Sequence, residues 1–331
     1  MAITAADVMK LRKMTSAGMM DCKKALEEAE GDFKKAVDII REKGKLVAAK
    51  RADRETSEGA VKARISGNKA ILVCLGCETD FVSRNADFQN LAEAIADVAI
   101  ENCPKDLEAL KACKMPDGYT VEEAVEAQTG KTGEKHVLAY YAYVEAPFVA
   151  SYIHKLNGKL GALVGFNKPV PEDLAKGVVM QIASMNPVAI SAEDCPQEVL
   201  DTEYKVAVEK TKEEQVLKAV EAALKKAGIN PAHVDSEDHI ESNTAKGWIT
   251  PEIADKAREI IKTVSAEKAA NLNPAMIENI AKGRLQKFVK ENTLMEQEYQ
   301  MTDDKSTVKQ ALAAADKEAE VISMKRFSLN D

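Results

Sequence analysis

Aromatic side chains are scarce: Phe, Tyr and Trp make up 5% of the 331 residues, and Trp248 is the single tryptophan. With 45% hydrophobic and 30% charged residues, the balance suits a soluble, helix-rich protein of roughly two domains. No apolar run approaches the ~18 residues that a bilayer-spanning helix needs. The start, Met-Ala-Ile-Thr-Ala-Ala-Asp, has neither the basic residues nor the apolar stretch of a secretory signal, so a cytoplasmic location and no membrane partner are expected. The cysteines (Cys22, Cys74, Cys77, Cys103, Cys113 and Cys195) are too scattered for a disulfide scaffold, and reduced thiols are the expected state. Basic residues number 46 against 54 acidic, a net charge of −8, which argues against nonspecific nucleic-acid binding as the main business.

Catalytic and metal motifs are missing too. Gly130-Lys131-Thr132 mimics the end of a phosphate-binding loop, but that motif needs glycine where Val125 stands, and the segment follows a helical Glu/Ala stretch rather than a strand. Cys74 and Cys77 have metal-ligand spacing without a second pair, and neither His233, His239 nor the other cysteines completes a site. No nucleophile-elbow motif occurs. No cofactor, no metal and no bond-making chemistry are therefore expected; the chain reads as a non-enzyme.

What is present is strong periodicity. Residues 1–44 read as three short helices: Thr4 caps the first, with Val8 and Leu11 facing inward, and it ends around Thr15-Ser16-Ala17-Gly18. The second runs over about residues 20–29. Asp32 caps the third, which carries Phe33, Val37 and Ile40 on one face and ends at Gly44. A bundle of that size has a thin core. Residues 45–58, with Lys45, Lys50, Arg51 and Arg54, form a basic linker, most simply a solvated face. From Gly59 the pattern turns to strands. Residues 61–65 and 70–76 flank a Ser66-Gly67-Asn68 turn, with a helix following near residues 88–103. About ninety residues later the order returns: strands 148–155 and 160–167 around Asn157-Gly158, then a helix over 174–185. Residues 199–288 are apolar at helical spacing, interrupted at 228–231, 248–251 and 271–274. A helix near 308–316 and a last strand over 320–327 close the chain.

Between the first hairpin and its helix lies Cys77-Glu78-Thr79-Asp80-Phe81-Val82-Ser83-Arg84-Asn85. A phenylalanine at a strand exit is buried either at home or in a partner, and full burial is worth ~1.5–3 kcal/mol. Taken by spacing alone, Met19 and Met20 are ordinary core or surface filler, and His154 near a turn is ordinarily solvated.

The joint pattern changes that balance. Lys10-Leu11-Arg12, then Thr15-Ser16-Ala17-Gly18-Met19-Met20-Asp21-Cys22-Lys23-Lys24-Ala25-Leu26, together with Thr79-Asp80-Phe81-Val82, resembles the translation elongation factor Ts family, the exchange factors of elongation factor Tu. Ser151-Tyr152 with His154, and Ile280-Ala281-Lys282-Gly283-Arg284-Leu285-Gln286-Lys287-Phe288, extend the resemblance along most of the chain. It departs from the family in three places. Residues 211–273 are longer than the helical hairpin usual in bacterial members. The chain stops soon after Arg326-Phe327, without the C-terminal helix some relatives add. Ser16 stands where glycine is common.

The resemblance implies an α+β fold. Its parts are an N-terminal three-helix, UBA-like module (1–44), the basic linker (45–58) and two related core subdomains with antiparallel sheets (59–146; 147–200 with 274–331). An expanded helical or coiled-coil projection (201–273) completes it. It implies guanine nucleotide exchange on elongation factor Tu, bound in its GDP and nucleotide-free forms, with no direct nucleic-acid contact. Thr79, Asp80, Phe81 and Val82 are implied to enter the partner near its Mg²⁺ site, and Arg12, Met19, Met20 and His154 to dock on it. Two alternatives stay open: a ribosome- or RNA-associated adaptor using the linker and the helical arm, and a GTPase or other nucleotide enzyme, against which the failed phosphate-loop pattern speaks. The arm is expected to make homotypic or partner contacts, a homo-oligomer among them, with Trp248 anchoring a self-contact, a second copy or a local core.

Overall fold

The computed structural model describes residues 3–15, 17–155 and 158–331; the expectations at Ser16 and Asn157 lie outside them. The chain forms two compact units, Met1–Ile190 with Glu298–Asp331, and Ser191–Gln297.

Helix α1 (Ala5–Thr15) is opened reciprocally: the Thr4 hydroxyl accepts from the Asp7 amide at 3.2 Å, and the Asp7 carboxylate accepts from the Thr4 amide at 3.0 Å. Helix α2 (Met19–Glu28) turns back through Gly31, at φ +86°, into α3 (Phe33–Lys50), which Asp32 caps. Val8, Leu11, Cys22, Ala25, Leu26 and Ala36 meet between the three helices, a thin core as their number predicts.

Strands β1 (Glu58–Ser66) and β2 (Lys69–Cys77) form a hairpin closed by Gly67, at φ +59°. A helical turn, α4 (Asp80–Ser83), leads into α5 (Ala86–Asn102), then α6 (Leu107–Ala112) and α7 (Val121–Thr132). Strand β3 (Val137–Glu145) returns antiparallel beside β2, giving the sheet order β1-β2-β3. The second sheet repeats the scheme: β4 (Phe148–Ile153), β5 (Leu160–Phe166), then α8 (Glu172–Met185). Here the excursion before the third strand is the whole second unit: α9 (Gln197–Lys226), α10 (Glu237–Ala245), α11 (Pro251–Ala270) and α12 (Pro274–Asn292). Helix α13 (Val308–Ala315) and β6 (Val321–Ser328) complete the order β4-β5-β6. Both sheets are thus hairpin, helix, later strand, and both middle strands shift register late in the strand, at Cys74/Leu75 and Gly165/Phe166. The fold is α+β, as expected.

In the first unit the two sheets pack face to face. Val61, Ala70, Leu72, Cys74, Ala142, Val144, Val149 and Leu163 fill the space between them. The opposite face of the first sheet, through Ile71, Val73, Leu75 and Cys77, meets Phe88, Ala92, Ile95 and Ala99 of α5. In the second unit, Val220, Leu224, Ile240, Ile249, Ala254 and Ala257 make a separate helical core. The interruptions read at 228–231, 248–251 and 271–274 fall between α9 and α10, α10 and α11, and α11 and α12, each of the latter two helices beginning at proline. Trp248 is 64% exposed and belongs to no local core; its ring has Lys246 Nζ at 5.2 Å. Among the described residues no helix is long and apolar enough to cross a membrane.

Two sequence expectations are corrected. Strand β3 was not among the expected strands, although residues 137–144 are an unbroken apolar run rich in tyrosine and valine, the signal of a largely buried strand. Helix α3 does not end at Gly44 but runs to Lys50. Gly44 is not a terminator there; it is where α3 crosses α7. A methyl group added to Gly130 of α7 would lie 2.7 Å from Gly44 Cα, so the pair permits a backbone approach no larger residue allows. The Gly-Lys-Thr run that mimics a phosphate loop is the C-terminal turn of α7, and its glycine serves this crossing. Gly130→Ala should therefore destabilise the protein by about 1–3 kcal/mol in urea unfolding. Gly283→Ala, on α12 with open space where its methyl would point, should stabilise by about 0.5–1 kcal/mol.

Candidate functional site

Strand β2 delivers Cys77, fully buried, to the edge of the core, and the chain must turn there. The turn is not an irregular loop but α4, with Thr79 as N-cap: its hydroxyl accepts from the Val82 amide at 3.5 Å. Ser83 is buried; its hydroxyl donates to the Asp80 carbonyl at 3.1 Å, and the Gln89 side-chain amide donates to the Ser83 carbonyl at 2.5 Å. Val82 packs onto the cluster under α5. Successive helical residues are rotated by about 100°; Val82 and Ser83 share the inward side of the turn, and Phe81 lies on the other. Phe81 is 86% exposed, the most exposed of the large hydrophobic side chains among the described residues. Asp80 pairs loosely with Arg84 at 3.3 Å across an exposed turn.

Two carboxylates flank the turn. Glu134, just after α7, accepts from the Thr79 amide at 3.1 Å and from the Thr79 hydroxyl at 2.8 Å. Glu78 accepts from the Lys135 amide at 2.6 Å and from Arg51 Nη1 at 2.8 and 3.1 Å. The Lys135 amide, then Arg51, hold the Glu78 carboxyl below its usual range. Lys135 in turn donates its ammonium to the carbonyls of Ala52 and Arg54, at 2.7 and 2.8 Å. Of the basic linker, then, Arg51 is structural, whereas Lys45, Lys50 and Arg54 are exposed.

Behind the turn lies His136, 7% exposed, which tilts against Phe88 at 5.5 Å. Its Nδ1 donates to the Glu134 carbonyl at 2.8 Å, while Nε2 is buried without a partner. Burial holds its imidazole pKa below the usual value. Cys74 and Cys77 sit on opposite faces of β2, one between the sheets and one under α5, so their spacing does not converge on an ion. Burial pushes both thiols up to about 12, far from a reactive thiolate.

The remaining sequence-predicted residues lie elsewhere in the first unit. Met19 and Met20, at the start of α2, are 47% and 64% exposed, and Arg12 on α1 is exposed as well. His154, half-buried just past β4, has Nδ1 at 3.0 Å from the Tyr152 hydroxyl. Its hairpin is tied to the first sheet: the Gly158 amide donates to the His154 carbonyl, the Val61 amide donates to the Gly158 carbonyl at 2.7 Å, and Lys159 pairs with Glu58 at 2.5 Å. Glu58 stands opposite Cys77 in register, so the His154 hairpin and the Phe81 turn leave from the same end of the sheets.

The family model described as elongation factor TS matches residues 78–227 and 216–331. The chain belongs to the elongation factor Ts family. Elongation factor Ts of Bacteroides thetaiotaomicron is 57% identical over 329 residues, covering 99% of each chain, and that of Bacteroides fragilis is equally similar. The protein of the same name from Porphyromonas gingivalis is 38% identical over 330 residues. Because both lengths are covered almost completely, the long helical stretch over 211–273 is shared with these elongation factor Ts relatives. Sequence reasoning missed Glu78, Glu134, Arg51 and Lys135, whose partners lie 27 to 83 residues away in the chain. Gly133, left-handed at φ +75° after α7, was the one local sign that the chain turns back there.

His136 gives a pH test. Its folded pKa lies below the ordinary value of 6.5, so the unfolded chain binds the proton more readily. Its stabilising share is complete above 6.5 and is lost as pH falls toward the folded pKa. Urea midpoints should therefore drop between pH 7.5 and 5.5 more steeply for wild type than for His136→Gln, which keeps an amide donor but does not titrate.

Proposed function

We propose that this elongation factor Ts family member is a nucleotide exchange factor for the GTPase elongation factor Tu in the cytoplasm, binding its GDP form and accelerating GDP release so that GTP can enter. The observation that carries the reading is Phe81, 86% exposed at the tip of a capped, doubly braced turn. An aromatic ring left in water on a held backbone is suited to be buried in a partner.

A GTPase holds GDP through a phosphate cradle and a bridging Mg²⁺. Phe81 enters between helices of the partner's nucleotide domain and shifts the groups that support that ion. Asp80 bonds to the partner's surface, while Thr79 and Val82 hold the turn's shape. No covalent bond is made or broken. Binding energy comes from Arg12, Met19 and Met20 on the N-terminal helical module, where flexible thioethers adapt to a helix of the partner, and His154 adds a contact from the same end of the sheets as Phe81. Linkage then closes the cycle: if the factor weakens GDP binding by some ratio, GDP weakens factor binding by the same ratio, so incoming nucleotide expels the factor.

Stopped-flow release of fluorescent GDP from elongation factor Tu tests the proposal. Wild type should accelerate release, and Phe81→Ala should lose about thirtyfold or more of that acceleration, the size of a hot-spot truncation. Its urea stability should change by less than about 0.5 kcal/mol, because the ring packs on little of its own chain. Absence of any acceleration by wild type would falsify the reading.

A further inference from the structure

Phe81 makes its contact, on the reading above, from a helix of four residues. One turn is the costly nucleus of a helix, with little propagation to repay it. Because the ring packs on almost nothing of its own chain, its direction is fixed by the backbone of the turn alone. That backbone hangs on Thr79, whose hydroxyl must offer a lone pair to the Val82 amide. A hydroxyl has one hydrogen and rotates to suit its neighbours.

We infer that Glu134 is the positioning residue of this turn. Its carboxylate takes both polar hydrogens of Thr79, the amide at 3.1 Å and the hydroxyl at 2.8 Å. With the hydroxyl hydrogen committed to Glu134, the lone pairs are left for Val82, and the cap is set. An ionised acceptor makes these bonds stronger than neutral ones. Glu134 is itself held: its amide donates to Thr132 Oγ1 at 3.1 Å, its carbonyl accepts from His136 Nδ1 at 2.8 Å, and Gly133 fixes the reversal before it. The next residue, Lys135, binds Glu78 on the other flank and, through its ammonium, the Ala52 and Arg54 carbonyls just past α3. Residues 134 and 135 therefore fasten the Phe81 turn and the exit of the N-terminal module to one short segment. This inference rests on Phe81 acting upon a partner, but the brace can be tested without one.

Two measurements separate the possibilities. In the free protein, Glu134→Ala should speed amide hydrogen exchange about tenfold at residues 82–84, whose amides bond to Thr79 and Asp80, while leaving β2 protected; unchanged exchange there overturns the brace whatever the turn does. With elongation factor Tu and fluorescent GDP, Glu134→Ala should lower the maximal release rate about tenfold, the scale of one charged hydrogen bond, with half-saturation moving less than about threefold. Glu134→Gln should fall between Ala and wild type, since its carboxamide oxygen still accepts from the Thr79 amide, whereas its NH₂ cannot take the hydroxyl hydrogen. Adding Thr79→Val to Glu134→Ala should cost less than Thr79→Val does by itself, because the hydroxyl–carboxylate bond is common to both and only the cap bond to Val82 is left for the second substitution to remove. A wild-type maximal rate for Glu134→Ala, a Gln variant as slow as Ala, or additive losses in the double variant each overturn the assignment. A Phe81→Ala factor as fast as wild type instead overturns the function of the turn, leaving the hydrogen-exchange result to stand by itself.

Discussion

Strand β2 is buried on both faces, and the rest of the first unit is arranged around that constraint. Odd positions from Ile71 to Cys77 pack under α5, and even positions from Ala70 to Cys74 face the second sheet. A strand enclosed this way cannot slip by one residue without exchanging its two environments. Its end is therefore fixed, and so is the point at which the chain leaves the core. Everything proposed for the Phe81 turn begins from that fixed exit. A turn grown from a half-exposed edge strand would inherit that strand's freedom of register.

The same economy of distance governs the N-terminal module. Its core is thin, and three short helices with so few buried side chains are marginal by themselves. Helix α3 is kept in place by crossing α7 at Gly44 and Gly130 and by the ties beyond its end, Arg51 to Glu78 and Lys135 to the Ala52 and Arg54 carbonyls. The segment that reads as a basic linker is thus partly helix and partly anchorage. Its cations are divided between solvent, as at Lys50 and Arg54, and carboxylates, as at Lys45 with Glu42 and Arg51 with Glu78.

Local chemistry made much of the architecture readable. Asp32 as a cap, Gly67 as a hairpin turn, and Pro251 and Pro274 as helix starts act over a few residues, and those elements fall where the pattern puts them. The repeat of hairpin and helix was readable for the same reason. Gly44 misled because glycine carries two meanings, terminator and contact point, and only its distant partner Gly130 decides between them. At the candidate site the exposed residues were legible as a motif, whereas the residues that hold them were not. Glu134 and Thr79 are 55 positions apart, and an acid after a glycine looks like any solvated acid until the fold brings it to an amide.

Exposure and rigidity at Phe81 belong together. A flexible tip could cover its aromatic ring against the nearest apolar surface, recovering part of the ~1.5–3 kcal/mol that burial offers and removing the incentive to leave. Val82, facing inward, occupies the place such a collapse would use, and the bonds on Glu78 and Thr79 keep the backbone from turning over. The ring stays in water with its orientation already chosen. On the proposed reading, ordering cost that would otherwise fall due at binding has been met during folding, which leaves more of the burial energy to distort the partner rather than to arrange the probe.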